Sequence, residues 1–250
     1  MITYNNGVTI ERALQSVADW ADEVIVVDSY STDGAQDIIP RYTEKLYQFE
    51  TKDLREKYQY AHDQCINPWI LFIDADEWLM DDIKKEISTI IRGTPSCDGY
   101  IASRRNMYLG REIKHGGWYP DREIRLYRRE KGRWEGGLHA KVTVDGTVGT
   151  LKHFYMHTPY ADIAHQIRTI DRYSEAFAED LRSSGRRFHL VNLITRPVYR
   201  FFRDYILKRG FLDGTPGFII VVSTMYYVFM KYAKLWEIEM KEKKQFRDRF

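Results

Sequence analysis

Cysteine is nearly absent from this chain: only Cys65 and Cys97 occur in 250 residues, and their spacing matches no metal-ligand pair. That excludes a disulfide scaffold or a cysteine zinc site, and it fits reduced thiols in a cytosolic protein. A surplus of either charge is also missing. Lys+Arg number 38 against Asp+Glu 36, so net charge gives no sign of a nucleic-acid partner. The N-terminus carries no basic stretch leading into an apolar one, and no signal peptide is expected. No internal repeat or low-complexity tract occurs. Nor is there an uncharged run that could span about 30 Å of hydrocarbon, which takes roughly 20 residues. The best stretch, residues 217–230, is too short, and extending it back to Phe211 brings in Asp213 and Pro216.

Aromatic residues are abundant instead, at 14% of the chain, with 18 Tyr and 6 Trp. Such side chains suit a generous core, carbohydrate stacking and membrane interfaces. The first two thirds alternate strand and helix patterns. Val24 to Asp28, Lys45 to Phe49 and Ile70 to Ile73 read as strands, and Arg55 to Cys65 and Ile83 to Ile91 read as helices. Repeated strand–helix units predict an α/β fold with a mostly parallel sheet and helices on both faces. From Gly99 to Val148, short strand-like pieces alternate with Gly- and Trp-rich turns. Asp162 to Ser184 then predicts one amphipathic helix stopped by Gly185.

The segment richest in chemistry is Ile70 to Leu79, where an apolar run ends abruptly in Asp74, Asp76 and Glu77. A buried strand with that ending puts carboxylates at the mouth of a sheet, where open α/β folds bind ligands. Two Asp one residue apart, with no base beside them, suit a hard divalent cation and a phosphate-bearing substrate. Glu77 has no assigned role. Asp28 ends a second strand and reads two ways. It is a turn former within a segment rich in turn residues, or an acceptor for nucleobase and ribose donors. With Asp74 and Asp76 downstream, the ligand reading is preferred.

Thr-Tyr-Asn-Asn (3–6), Val-Val-Asp-Ser-Tyr-Ser-Thr-Asp-Gly (26–34) and Phe-Ile-Asp-Ala-Asp-Glu (72–77) occur in that order. Together they resemble the family-2 glycosyltransferases, over about residues 1–150. The resemblance implies a GT-A, Rossmann-like catalytic domain over 1–158, a nucleotide-sugar donor and an inverting transfer. It implies that Thr3, Tyr4 and Asp28 hold the nucleoside, that Asp74 contacts ribose or metal, and that Asp76 binds Mg²⁺ or Mn²⁺ on the diphosphate. Where relatives carry an Arg-Asn pair before the metal motif, this chain has Tyr58-Gln59, and Lys57 is the substitute for a phosphate contact.

Inverting transfer needs a base for the acceptor hydroxyl. Asp121, after Gly116-Gly117-Trp118-Tyr119-Pro120, is the candidate, against the plainer reading of an ion pair with Arg122 or Arg125. Trp118, Tyr119, Arg122, Arg125 and Trp134 are candidate acceptor contacts, and the two arginines could equally grip phosphates. His139 is read as completing the metal shell or lining the acceptor site. Many relatives have Glu directly after this His, where this chain has Ala140. His153 and His157 are not paired into a site.

Nearly the whole chain is similar to one branch of family 2, the bacterial lipopolysaccharide inner-core beta-1,4-glucosyltransferases. The shared features are Gly-Gly-Trp-Tyr-Pro-Asp-Arg (116–122), Arg-Leu-Tyr-Arg-Arg (125–129), Trp-Glu-Gly-x-x-His (134–139), Arg-Gly-Phe-Leu-Asp-Gly (209–214) and Lys-Tyr-Ala-Lys-Leu-Trp-Glu (231–237). The similarity implies UDP-glucose as donor and a heptose of the lipid A-core as acceptor. Residues 159–250 are read as a helical region that associates with the membrane surface or an identical chain. Arg196, Arg200, Arg203, Lys208 and Arg209 interleave there with aromatic and aliphatic residues, as at anionic interfaces. The expected location is the cytoplasmic face of the inner membrane.

Overall fold

Apolar runs broken by acidic and glycine turns give many short elements. The computed structural model describes residues 1–51, 53–137 and 140–247. In chain order come β1 (Ile2–Thr3), α1 (Ile10–Gln15), β2 (Val26–Asp28), α2 (Ala35–Ile38), β3 (Leu46–Gln48) and α3 (Leu54–Asp63). Next are β4 (Trp69–Leu71), β5 (Glu77–Leu79), α4 (Asp81–Arg92), β6 (Gly99–Tyr108), β7 (Arg111–Ile113) and β8 (Arg122–Arg128). Last come β9 (Gly132–Glu135), β10 (Lys141–Val144), β11 (Val148–His157), α5 (Ile163–Ser183), α6 (Leu190–Phe202) and α7 (Gly214–Arg247).

Met1–Met107 and Asp121–Pro159 form one unit. Its sheet β1-β2-β3 is parallel, with Thr3 opposite Asp28 and Asp28 opposite Gln48. Its second sheet has the path β4-β8-β6-β11-β5 and is mixed: β6 and β11 are parallel, and the other pairs are antiparallel. This departs from the expected mostly parallel sheet. A parallel neighbour needs a crossover of a dozen or more residues. Glu77 begins β5 only a few residues after β4 ends, so the chain turns and pairs antiparallel with β11 instead. The core beneath the acidic turn is made by Ile73, Leu79, Ile83, Ile87, Tyr100 and Leu126. Ile2 packs against both the Ile70–Phe72 cluster and the Ile25–Val27 cluster.

The other unit comprises Tyr108–Pro120 and the chain from Tyr160 onward. Tyr108–Pro120 falls inside the 1–158 span that the sequence assigns to the catalytic domain, yet it belongs to this second unit. α5 starts where expected, with the Asp162 side chain accepting from the His165 N–H at 2.6 Å, and Gly185 beyond its end has φ +75°. α7 packs against α5 and α6, burying Ile220, Val221, Tyr232 and Leu235. Buried Asp213 accepts from the N–H groups of Lys114 and His115 at 3.1 and 2.8 Å. Buried Asp204 accepts from Arg200 and Arg203 at 2.5 and 2.8 Å. A Cβ on Gly117 would lie 2.5 Å from Asp204 Oδ2, so any larger residue there would have to displace that carboxylate from its arginine partners.

Candidate active site

Asp74 and Glu77 make the acidic turn self-locking. The Glu77 N–H donates to the Asp74 carbonyl at 3.1 Å, and the Asp74 N–H donates to Glu77 Oε2 at 2.8 Å. Glu77 is fully buried, and its Oε1 accepts from Arg104 Nη1 at 2.9 Å and Arg125 Nη2 at 2.8 Å. Burial pushes the Glu77 carboxyl up to about 7, against the pull of Arg125 and Arg104. The same burial works against both guanidinium ions, but Glu77 together with the other acidic groups around them (Asp121 for Arg104, Asp74 and Glu123 for Arg125) outweighs it and raises them. Glu77, without a role in the sequence, is thus the internal counter-ion of the site.

Arg125 was expected to face an acceptor. It is 3% exposed and occupied by the protein, reaching Asp74 Oδ2 at 3.2 Å, Glu123 Oε2 at 2.9 Å and the Tyr155 hydroxyl at 2.9 Å. Trp134 is likewise a core residue rather than an acceptor platform. It stacks on Tyr58 with ring centroids 4.3 Å apart, its backbone N–H donates to Gln59 Oε1 at 3.1 Å, and its indole N–H donates to the Tyr127 hydroxyl at 3.3 Å. Tyr58-Gln59 therefore has a packing duty in place of the Arg-Asn pair. Both corrections have one cause: a partner distant in sequence takes the group that looked available.

Asp76 and Asp121 lie at the two ends of a hydrogen-bonded chain. Asp76 Oδ2 is 3.3 Å from His157 Nε2, and His157 Nδ1 is 2.6 Å from Asn106 Oδ1. Asn106 Nδ2 donates to Asp121 Oδ2 at 3.2 Å, and Arg104 Nε donates to the same oxygen at 2.7 Å. A carboxylate only accepts, so Asn106 must turn its NH₂ to Asp121 and its carbonyl to His157. His157 then donates from Nδ1 to Asn106; its Nε2 contact with Asp76 is a hydrogen bond when Nε2 also carries a proton, and in the singly protonated ring Nε2 is left as a lone pair that a cation could take. Burial acts to raise the Asp76 carboxyl, but His157 and Arg104 prevail and hold it below its ordinary value. Arg104, Asn106 and His157 were not anticipated. The usable signal was the strand period of two, which puts Tyr155 and His157 on one face of β11.

Near Asp28, the first two motifs form one pair of loops. The Asn5 N–H donates to Ser31 Oγ at 2.8 Å, Thr32 N–H to Asn5 Oδ1 at 2.8 Å, and Gly7 N–H to Asp33 Oδ2 at 2.7 Å. Asp28 itself is fully buried, accepting the Ser31 N–H at 2.9 Å and the Ser31 hydroxyl. Thr3 is buried, whereas Tyr4 and Tyr30 are 46% and 55% exposed. Asn5 and Tyr30 both hold positive φ, at 55° and 58°, a strained backbone that the loop pairing sustains. Lys57 is buried on α3, which packs against β1 and β2. Arg122 is exposed on β8. In the helical unit, Tyr119 is 51% exposed, and Trp118 packs edge-on to Tyr108. His139 lies outside the described residues. Among the described residues no three His, Cys, Asp or Glu side chains cluster as a metal cage.

Residues 1–144 match the family described as "Glycosyl transferase family 2". An uncharacterized glycosyltransferase of Rickettsia typhi is 28% identical over 97% of this chain and 87% of that protein. The lipopolysaccharide core biosynthesis glycosyltransferase LpsC of Rhizobium meliloti is 26% identical over 95% of this chain and 90% of that protein. Among solved structures, the mannosyltransferase PcManGT from Pyrobaculum calidifontis, in complex with GDP-Man and Mn²⁺, aligns over 94% of this chain and 85% of that one. Its identity is 13% and its TM-score 0.46. The chain belongs to glycosyl transferase family 2, and it is a glycosyltransferase that moves a sugar from a nucleotide donor to an acceptor.

Proposed function

We propose that this enzyme transfers a sugar from a UDP-sugar to a lipid-linked acceptor, and that its specific reaction is glucose transfer to a heptose of the lipid A-core. The observation that carries the reading is the chain Asp76–His157–Asn106–Asp121, which joins a cation-binding end to a proton-accepting end. Asp76 and His157 fit a divalent metal, Mg²⁺ or Mn²⁺. Such ions take one or two protein ligands and fill the remaining positions from diphosphate and water. Bound there, the metal would neutralise charge developing on the departing diphosphate. Asn106 keeps the His157 lone pair aimed at that place.

The paired loops of residues 3–7 and 28–34 receive the nucleoside. Tyr4 and Tyr30 offer exposed rings to the base, and Asp74 lies at the ribose side. Lys57 supplies a cation toward the phosphates. Asp121 acts as base: its Oδ2 is held by Arg104 and Asn106, and Oδ1 accepts the acceptor hydroxyl proton. Trp118, Tyr119 and Arg122 are the remaining acceptor contacts. The similarity to LpsC supports the lipopolysaccharide core as acceptor, and the long apolar helix supports a place at a membrane, on this reading the cytoplasmic face of the inner membrane.

The decisive experiment is turnover and UDP binding in Asp76→Ala and Asp121→Asn, with acceptor profiling of the parent. Asp76→Ala should lose turnover and metal-dependent UDP binding while melting normally. Asp121→Asn should bind UDP-sugar and not transfer. Full activity of either variant refutes the corresponding role. Transfer to another lipid-linked or polymeric acceptor, with none to lipid A-core, replaces the specific reaction and keeps the family reading.

A further inference from the structure

α6 wears its apolar side outward. Leu190, Val191, Ile194 and Val198 are 57–62% exposed. Spaced at one, three and four residues, they fill a broad arc of the helix. On α7, Phe218, Tyr226, Phe229 and Trp236 form a second exposed stripe at helical spacing, each 40–49% exposed. Between them lies an apolar groove of about 700 Å³, lined by Ile167, Leu193, Pro197, Val222, Met225 and Phe229, among others. An apolar surface this extensive on one unit marks a partner or membrane.

Cations border it. Arg196 and Arg200 occupy the flank of α6 beside Leu193, and Lys231 stands on α7. Arg196 and Lys231 crowd the same Tyr232 ring, at 5.6 and 5.3 Å from its centroid. Burial and then the positive charges of Arg196, Arg200 and Arg186 hold the Lys231 ammonium below its ordinary value. Asp204 answers Arg200, and among the described residues no carboxylate pairs with Arg196 or Lys231. An apolar face bordered by cations is complementary to a leaflet of anionic lipid.

The long apolar segment Gly210–Lys244 passes the length and composition test for a membrane-crossing helix, with only 28% of its apolar window buried. Its other edge argues against crossing. α5 packs along α7 and is fixed by ion pairs, Lys234–Asp171 at 2.6 Å and a two-pronged Arg182–Glu242 contact with a shortest distance of 2.6 Å. α5 also carries Arg168, Arg172, Glu175, Glu179 and Asp180, charges that hydrocarbon would not accept at depth. A crossing α7 would have to shed α5 entirely.

We infer that α6 and α7 lie flat in one leaflet, with the groove and exposed stripes among acyl chains and the Arg196–Arg200–Lys231 cluster on anionic phospholipid phosphates. This deepens the acceptor side of the transferase reading. Its test needs no turnover, so the two fail separately. The full chain should co-sediment with phosphatidylglycerol vesicles at low salt and much less with phosphatidylcholine. Arg196→Ala should weaken binding roughly fivefold, the worth of one cation near an anionic surface. Ile194→Asp with Val198→Asp should abolish it, with an unchanged melting profile and unchanged UDP-sugar hydrolysis in solution.

Depth is read with an environment-sensitive fluorophore on Phe218→Cys, Phe229→Cys or Trp236→Cys, in a chain carrying Cys65→Ser and Cys97→Ser. Equal, shallow quenching at all three supports the flat placement. A deep middle with one end across the bilayer overturns it. So does dimerisation through this face without vesicle binding, or equal binding to both vesicle types.

Discussion

Replacing Asn106 with leucine removes the middle of the chain between Asp76 and Asp121 while nearly keeping side-chain volume. Asn106 is 3% exposed, so water does not take its place. Among the described contacts, those lost are the donor to Asp121 at 3.2 Å and the acceptor for His157 Nδ1 at 2.6 Å. A hydrogen bond to a charged group is worth about 1.5–3 kcal/mol, and an orphaned buried N–H costs about 1–3 kcal/mol. Asp121 keeps Arg104 at 2.7 Å, so a total near the low end, about 2–4 kcal/mol, is expected. In a chain this size that lowers the melting temperature by roughly 5–15 °C. A stability loss alone would say only that Asn106 is structural. The informative readout is Mn²⁺ affinity, by calorimetry in the presence of UDP. Freed to rotate or change tautomer, His157 should weaken the metal roughly 10–100-fold, about 1.4–2.7 kcal/mol. Asn106→Asp separates the two halves. It retains an acceptor for His157 but sets a second carboxylate against Asp121, so metal affinity should survive while transfer is lost. A lower melting temperature with Mn²⁺ affinity unchanged in Asn106→Leu would refute the positioning role.

Glu77→Gln leaves the Arg104 and Arg125 guanidinium ions around a neutral amide. Removing one partner of a buried pair typically costs about 3–5 kcal/mol, so chemical denaturation should show a loss of that size, and an unchanged midpoint would contradict it. Glu86 gives a pH prediction away from the site. Burial acts to raise its carboxyl, but the N–H groups of Lys152 and His153 and the His153 ring at 2.8 Å outweigh it, so it lies below the ordinary 4.5. A carboxylate depressed on folding contributes stability above its unfolded value, and that contribution is lost as pH falls through the folded one. Melting temperature should therefore drop on acidification below about pH 4.5, and Glu86→Gln should flatten that limb; parallel curves for both proteins would count against the pairing.

The parts of this molecule legible in the sequence are those set by neighbours in the chain. The strand before Asp74 announces itself as an apolar run, and α5 is bracketed by the Asp162 cap and Gly185. The parts that were not legible depend on register. His157 reaches Asp76 because β11 lies beside β6 with His157 opposite Asn106, 51 residues earlier. A shift of one residue would turn that ring to the other face. β5 is three residues long, too short for a periodic signal, so the antiparallel return that makes the sheet mixed left no trace in the pattern. Arg125 and Trp134 looked available because Glu77 and the Tyr58-Gln59 pair, which occupy them, come from β5 and α3.

Register also decides how charge is shared. Five carboxylates (Asp74, Asp76, Glu77, Asp121, Glu123) and two guanidinium ions (Arg104, Arg125) form one network. Arg125 turns toward Asp74, Glu77 and Glu123, and Arg104 toward Glu77 and Asp121. Asp76 is the carboxylate that neither arginine touches among the described contacts; its partner is a histidine, which can give up its contact and bind a cation itself. A donor diphosphate is itself anionic and would be repelled by an uncompensated acidic cluster. The two arginines cancel much of that repulsion from within, and the residual negative charge is left where a divalent cation can bridge protein and phosphate. Exchanging Glu77 and Asp76 in role would destroy this division, since a buried acid between two arginines cannot also ligate a metal. With the metal role proposed for Asp76, the order Asp-Ala-Asp-Glu has a physical reading: an anchor at 74, the proposed ligand at 76, and at 77 a counter-ion that keeps the arginines off it.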